Sequence, residues 1–187
     1  TGFSGKYFLP CRTKQHSNPD LNKTLRYQSK EIFYRVTGEG DPVILIHGFG
    51  EDGEVWKAQA DYLKNRFRLI IPDLPGSGQS PVIEDMSMEG LAEVMHAIIH
   101  AEGIDQCPVI GHSMGGYITL ALMEKYWNHI TAFGLFHSSA FADSEEKKAA
   151  RKKGIAFIKE HGARAFIETT SPNLFAERSR EQMPERI

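Results

Sequence analysis

Gly111-His112-Ser113-Met114-Gly115 stands between the apolar pair Val109-Ile110 and the segment Tyr117-Ile118-Thr119-Leu120. It matches G-x-S-x-G, a pattern that acquires meaning where a strand turns sharply into a helix. On such a turn the serine backbone is strained, and residues two places away approach too closely for side chains. Gly111 and Gly115 meet that need, and Gly116 adds room. The turn would lift the Ser113 hydroxyl to the carboxyl edge of a sheet, where open α/β sheets bind ligands. The following helix would point its first N–H groups at developing negative charge. A chance match in a loop is the alternative, and the flanking strand and helix patterns count against it.

Short all-apolar runs recur at Val43-Ile44-Leu45-Ile46, Leu69-Ile70-Ile71, Val109-Ile110 and Phe133-Gly134-Leu135-Phe136. Such runs suit strands buried on both faces of a parallel sheet. Stretches of helical length lie between them, at roughly 54–65, 87–102 and 114–126. In the second, Leu91, Val94, Met95, Ile98 and Ile99 share one helical face. Strand and helix in alternation predict an α/β fold with right-handed crossovers. Upstream, 24–29 and 31–37 alternate as two antiparallel strands with a turn at Ser29-Lys30. Residues 1–23 are polar, carry Pro10 and Pro19, and read as an arm or loop. After Ala142 comes Asp143-Ser144-Glu145-Glu146, then a basic run from Lys147 to Lys153, the charge order that suits a helix dipole. The expected organisation is an arm over 1–23, an α/β core of six strands over 24–140, and a helical segment over 141–187.

His47-Gly48-Phe49-Gly50 directly follows the strand at 43–46. Acyl transfer needs donors where an oxyanion forms. A tight glycine-flanked turn can expose the Phe49 N–H, and the Met114 N–H would be its partner. A rival pattern overlaps it. Gly48-Phe49-Gly50-Glu51-Asp52-Gly53 fits G-x-G-x-x-G, and Asp73 lies 20 residues past Gly53 at the end of the next strand. That is the dinucleotide pattern with its ribose-binding acid, which keeps an NAD-dependent oxidoreductase as a remote alternative. It accounts neither for the turn at Ser113 nor for Pro72-Asp73-Leu74-Pro75-Gly76-Ser77-Gly78-Gln79-Ser80.

These three motifs, in this order and each after its own strand, closely resemble the α/β-hydrolase superfamily. They are most similar to its capped esterase, lactonase, non-haem haloperoxidase and C–C hydrolase branch. The resemblance covers about residues 24–187. It implies an α/β-hydrolase fold: a mostly parallel sheet with an antiparallel N-terminal hairpin, helices on both faces, and the start of a helical cap from about residue 141. It implies that Ser113 attacks a carbonyl while Phe49 and Met114 donate backbone N–H groups to the oxyanion. His47 would brace the loop around Gly48 and Gly50. His112 would support the turn flanked by Gly111, Gly115 and Gly116, and Asp73 would be structural. A serine at this position argues against haloalkane dehalogenases and epoxide hydrolases, which carry aspartate there. The implied function is hydrolysis of a small ester, lactone or related carbonyl compound, with no cofactor.

A serine nucleophile needs a base, and the base an orienting acid. The resemblance places both on strands beyond the cap, and these strands, the last of the core, are not found in the sequence. The expectation is a truncated hydrolase, with little turnover from this chain alone. Asp143 and His137 are the nearest substitutes, but Asp143 reads as a helix cap and His137 as a loop residue contacting the site. His96, His100 and His129 read as surface or boundary residues, and His161, beside Gly162, as a helix C-terminus. A non-catalytic protein that binds a ligand beneath its cap is therefore the alternative function.

Composition narrows the partners. A net charge of −2 across 187 residues, with no interleaving of aromatic and basic residues, gives no electrostatic reason to expect nucleic acid. Cys11 and Cys107 form no C-x-x-C pair, so metal ligation and redox chemistry lack support, and Cys107 reads as a core residue. No apolar run reaches membrane-helix length and no signal peptide is evident, so a cytoplasmic location without membrane contact is expected. The apolar strand at 133–136 would leave an open edge, inviting a second copy or a complementing fragment.

Overall fold

The computed structural model of the chain describes residues 21–184. The arm expected over 1–23 lies outside these residues as far as position 20, while Leu21, Asn22 and Lys23 belong to the first strand rather than to an arm. The sheet has six strands: β1 (Leu21–Tyr27), β2 (Lys30–Thr37), β3 (Asp41–Ile46), β4 (Phe67–Pro72), β5 (Cys107–His112) and β6 (Ile130–Phe136). Their spatial order is β1-β2-β4-β3-β5-β6. β1 and β2 form an antiparallel hairpin, β2 joins β4 antiparallel, and β4, β3, β5 and β6 run parallel. The hairpin turn is Gln28-Ser29, one residue earlier than expected, with Tyr27 paired to Lys30. Gln28 takes φ 54°, the left-handed first position that two-residue hairpin loops favour.

Helices cover both faces. On one, α2 (Met88–Ala101) and α3 (Met114–Tyr126) pack Leu91, Met95, Ile98, Ile118 and Leu122 against Ile44, Ile46 and Ile70. On the other, Trp56 and Ala60, from a 3₁₀ turn and α1 (Lys57–Leu63), pack on Val43, Leu45, Leu69 and Ile71. β3 and β4 therefore send alternate residues into different apolar layers, which explains their unbroken apolar runs, whereas β6 buries only Ile130 and leaves the run at 133–136 partly open. Ser87 caps α2 by accepting the Gly90 N–H. Cys107 is fully buried, and burial pushes its thiol up to about 11.

Beyond β6 the chain forms α4 (Glu145–Thr170), a 3₁₀ turn and α5 (Glu177–Gln182). Gly162, at φ 87°, interrupts α4, and Phe166 folds back to within about 3.0 Å of where a side chain on Gly154 would begin. His161 thus ends the first half of α4. Neither helix buries a residue. Among the described residues β6 has no neighbour on its outer side, and its Phe133 and Phe136 are 49% and 44% exposed. No helix among them is long and apolar enough to cross a membrane.

Candidate active site

β5 ends and α3 begins at Ser113, whose φ of 50° and ψ of −115° lie in a region that L-residues avoid. The turn is held from several sides. The Ser113 N–H donates to the Phe136 carbonyl at 3.0 Å, and the Ser113 carbonyl accepts from the Gly116 N–H at 3.0 Å. The Ser138 hydroxyl donates to the same carbonyl at 2.7 Å. Packing demands the flanking glycines. A Cβ on Gly111 would lie 2.1 Å from the Gly115 oxygen, and one on Gly115 would lie 2.5 Å from the Ile46 oxygen. The end of β3 thus presses directly on the turn.

That contact brings the loop after β3 to the serine. A Cβ on Gly48 would lie 3.0 Å from Ser113 Cβ. Beneath the loop, His47 is fully buried. Its Nε2 accepts the Leu74 N–H at 2.9 Å and its Nδ1 contacts the Gly48 carbonyl at 2.8 Å. An acceptor role at Nε2 assigns the proton to Nδ1, which donates to Gly48. Burial holds the imidazole below its ordinary value of 6.5, against the opposing pull of the Gly48 carbonyl. Both ring nitrogens are committed, so His47 has none to offer Ser113. Phe49 projects outward, 62% exposed. Neither the Phe49 N–H nor the Met114 N–H has an acceptor among the described residues. The latter opens α3 and has no carbonyl a turn behind it.

Glu51 is a site residue that sequence reasoning missed. Its Oε2 accepts the Gly48 N–H at 2.7 Å and sits 2.8 Å from His112 Nδ1. One carboxylate oxygen therefore joins the loop after β3 to the residue before Ser113. The available signal was an acid three residues beyond a loop glycine, the spacing of a capping carboxylate. A cleft of about 480 Å³ lies alongside, lined in part by Gly50, Glu51, Asp52, Gly76 and Ser77.

Asp73 is 1% exposed. Its Oδ1 accepts the Gly53 N–H at 3.0 Å and its Oδ2 the Gln79 N–H at 2.9 Å, with Arg35 at 3.5 Å. Both oxygens are committed to tying two loops together. A dinucleotide site needs this acid facing a ribose, so the geometry speaks against the NAD reading.

His137 and Asp143 are not brought together. His137 is exposed, with its ring centre 6.2 Å from that of His112. Asp143 pairs with Arg151, whose hydrogen bond holds the carboxyl below its ordinary range. Ser144, not Asp143, caps α4 by accepting the Lys147 N–H. The Ser113 hydroxyl has no hydrogen bond among the described residues. His96 stacks on Tyr126 at 3.7 Å and His129 contacts the Asp105 carbonyl, both at the far end of α3. No cluster suited to a metal ion occurs among the described residues.

Residues 41–153 match the family model described as alpha/beta hydrolase fold. The pimeloyl-[acyl-carrier protein] methyl ester esterase of Yersinia enterocolitica is 37% identical over 142 residues, spanning 75% of this chain and 54% of that protein. The (E)-2-((N-methylformamido)methylene)succinate hydrolase of Acinetobacter baylyi is 34% identical over 101 residues, spanning 53% of this chain and 38% of that protein. A solved thermophilic esterase from Thermogutta terrifontis superposes with a TM-score of 0.76 at 33% identity, covering 89% of this chain and 62% of its own. The chain thus spans roughly half the length of these relatives. With the family model matched over more than half of it, the chain belongs to the α/β-hydrolase fold family.

Proposed function

We propose that this chain carries the nucleophile and oxyanion hole of a serine hydrolase acting on a small ester, lactone or related carbonyl compound. The observation that carries the reading is the Ser113 backbone at φ 50° on a strand-to-helix turn. Strain of that kind costs on the order of 1–3 kcal/mol and concentrates at functional sites. The Ser113 oxygen bonds to the carbonyl carbon, the carbonyl π electrons move to oxygen, and the hydroxyl proton passes to a base. The Phe49 and Met114 N–H groups receive the oxyanion. Collapse breaks the bond to the leaving oxygen, which takes the proton back from that base and departs as the alcohol, and the acyl-serine left behind is hydrolysed by water to the acid and free Ser113. The esterase relatives favour this substrate class. We further read residues 141–187 as a partial helical cap. Support comes from Ile167, whose Cδ1 lies 3.8 Å from where a side chain on Gly50 would begin.

One observation favours a second reading. Ser113 Oγ has no hydrogen-bonded base among the described residues, which suits a non-catalytic ligand-binding role. An alkyl fluorophosphonate separates the two. The expected result is a single adduct at Ser113 by intact mass, absent from Ser113→Ala, with little steady ester turnover by this chain. An unlabelled wild-type chain would overturn the nucleophile reading. Robust turnover abolished by Ser113→Ala would overturn the expectation that the base lies elsewhere.

A further inference from the structure

We propose that Glu51 is the positioning residue of the oxyanion hole, a role that rests on Ser113 being the nucleophile. The oxyanion donor on this loop is the Phe49 N–H, and its direction is a matter of peptide geometry. The Phe49 N–H shares a rigid trans peptide with the Gly48 carbonyl, so the two point opposite ways. His47 holds that carbonyl through Nδ1 at 2.8 Å. The plane can still swing unless the other side of Gly48 is fixed as well. Glu51 supplies that second anchor by accepting the Gly48 N–H at 2.7 Å. Gly48 is thereby clamped at both of its polar groups, one from below and one from the following turn.

The clamp also sets the loop against the nucleophile. The oxygen that holds Gly48 lies 2.8 Å from Nδ1 of His112, the residue before Ser113. Displacing the donor by a fraction of an ångström relative to Ser113 would forfeit much of the oxyanion stabilisation. Without an anchor the loop has little to hold it there, since Phe49 is 62% exposed and Gly50 takes φ 75°. A bare carboxylate near a developing oxyanion would repel it. Here the charge is met by two hydrogen-bonding groups. Glu51 acts through Gly48 and His112 and touches no reacting atom.

The experiment uses the 187-residue chain with Glu51→Ala and Glu51→Gln. An alkyl fluorophosphonate is titrated and the Ser113 adduct followed by intact mass, which separates the limiting rate from the half-saturating concentration. Glu51→Ala is expected to lower the limiting rate by about ten- to a hundredfold, with half-saturation and thermal midpoint little changed. Glu51→Gln, whose amide oxygen still accepts from Gly48, recovers most of the rate. The Gly48 amide proton, read by NMR, shifts upfield in the alanine variant and stays near its place in the glutamine variant. Should the alanine variant not fold, Glu51→Asp, one methylene too short to reach both groups, is held to the same expectation. An unchanged limiting rate, or a loss that follows the folded fraction and is not recovered by glutamine, overturns the role of Glu51 alone. Failure of the wild-type chain to be labelled overturns the Ser113 reading and this role with it.

Discussion

Ser113 shows what the site costs at the scale of one residue. Its φ of 50° and ψ of −115° are open to glycine and unfavourable for any residue bearing a Cβ. The hydroxyl gains nothing in return, since it makes no hydrogen bond among the described residues. Stability and chemistry therefore pull apart here. Ser113→Gly is expected to raise the unfolding free energy by about 1 kcal/mol while removing all fluorophosphonate labelling. Urea melts of the two proteins measure the first quantity, and a destabilised glycine variant would show that the turn is not strained. Gly115 is the converse case, since its contact at 2.5 Å from the Ile46 oxygen leaves no space for even a methyl group.

At the scale of elements, two buried polar groups tie strands to loops and helices, and each makes the fold sensitive to acid. His47 links the end of β3 to Leu74 after β4, and it must be neutral to accept that N–H. Burial keeps its folded pKa below the ordinary 6.5. Its contribution is thus whole above that value and is lost as pH falls through the lower folded one. Glu102, which follows α2, has only 3% of its side chain exposed. It accepts from Tyr34 Oη at 2.6 Å and from Lys23 at 2.9 Å, and pairs with Arg68. Burial pushes its carboxyl up, but the Tyr34 and Lys23 hydrogen bonds and the nearby cations outweigh this and hold it below the ordinary 4.5. Its contribution is present above 4.5 and is lost as pH falls further. Stability measured against pH should therefore fall first below about 6.5 and again below about 4.5. Glu102→Gln should flatten only the second fall and cost about 2 kcal/mol at neutral pH. A variant whose profile matches the wild type would show that the Glu102 contacts do not contribute.

Across the whole molecule, β6 is the edge of the parallel part of the sheet. Its outer N–H and C=O groups have no strand partner among the described residues, and Phe133 and Phe136 lie half open. An apolar edge of that kind is a template for pairing. The chain is expected to self-associate as concentration rises in sedimentation velocity. Phe133→Lys, which places a charge on the edge, should restore the monomer without moving the thermal midpoint by more than a few degrees. A wild-type chain that stays monomeric throughout would refute this.

Short-range patterns along the chain specify the fold and the position of Ser113. Apolar runs of strand length, amphipathic stretches between them and glycines at close approaches are all local patterns, and local backbone geometry depends on them. They led to the α/β sheet, to both loops and to Ser113 within a few residues of where each lies. What those loops hold is settled by how the folded elements pack. Glu51 and His112 are 61 positions apart, and Tyr34 and Glu102 are 68. No periodicity records such pairs, because they form between side chains brought together by sheet order and by the depth at which loops pack. The same reason gives Asp73, structural by resemblance, its particular partners, the Gly53 and Gln79 N–H groups of two separate turns. It also pairs Asp143 with Arg151, eight positions along the chain.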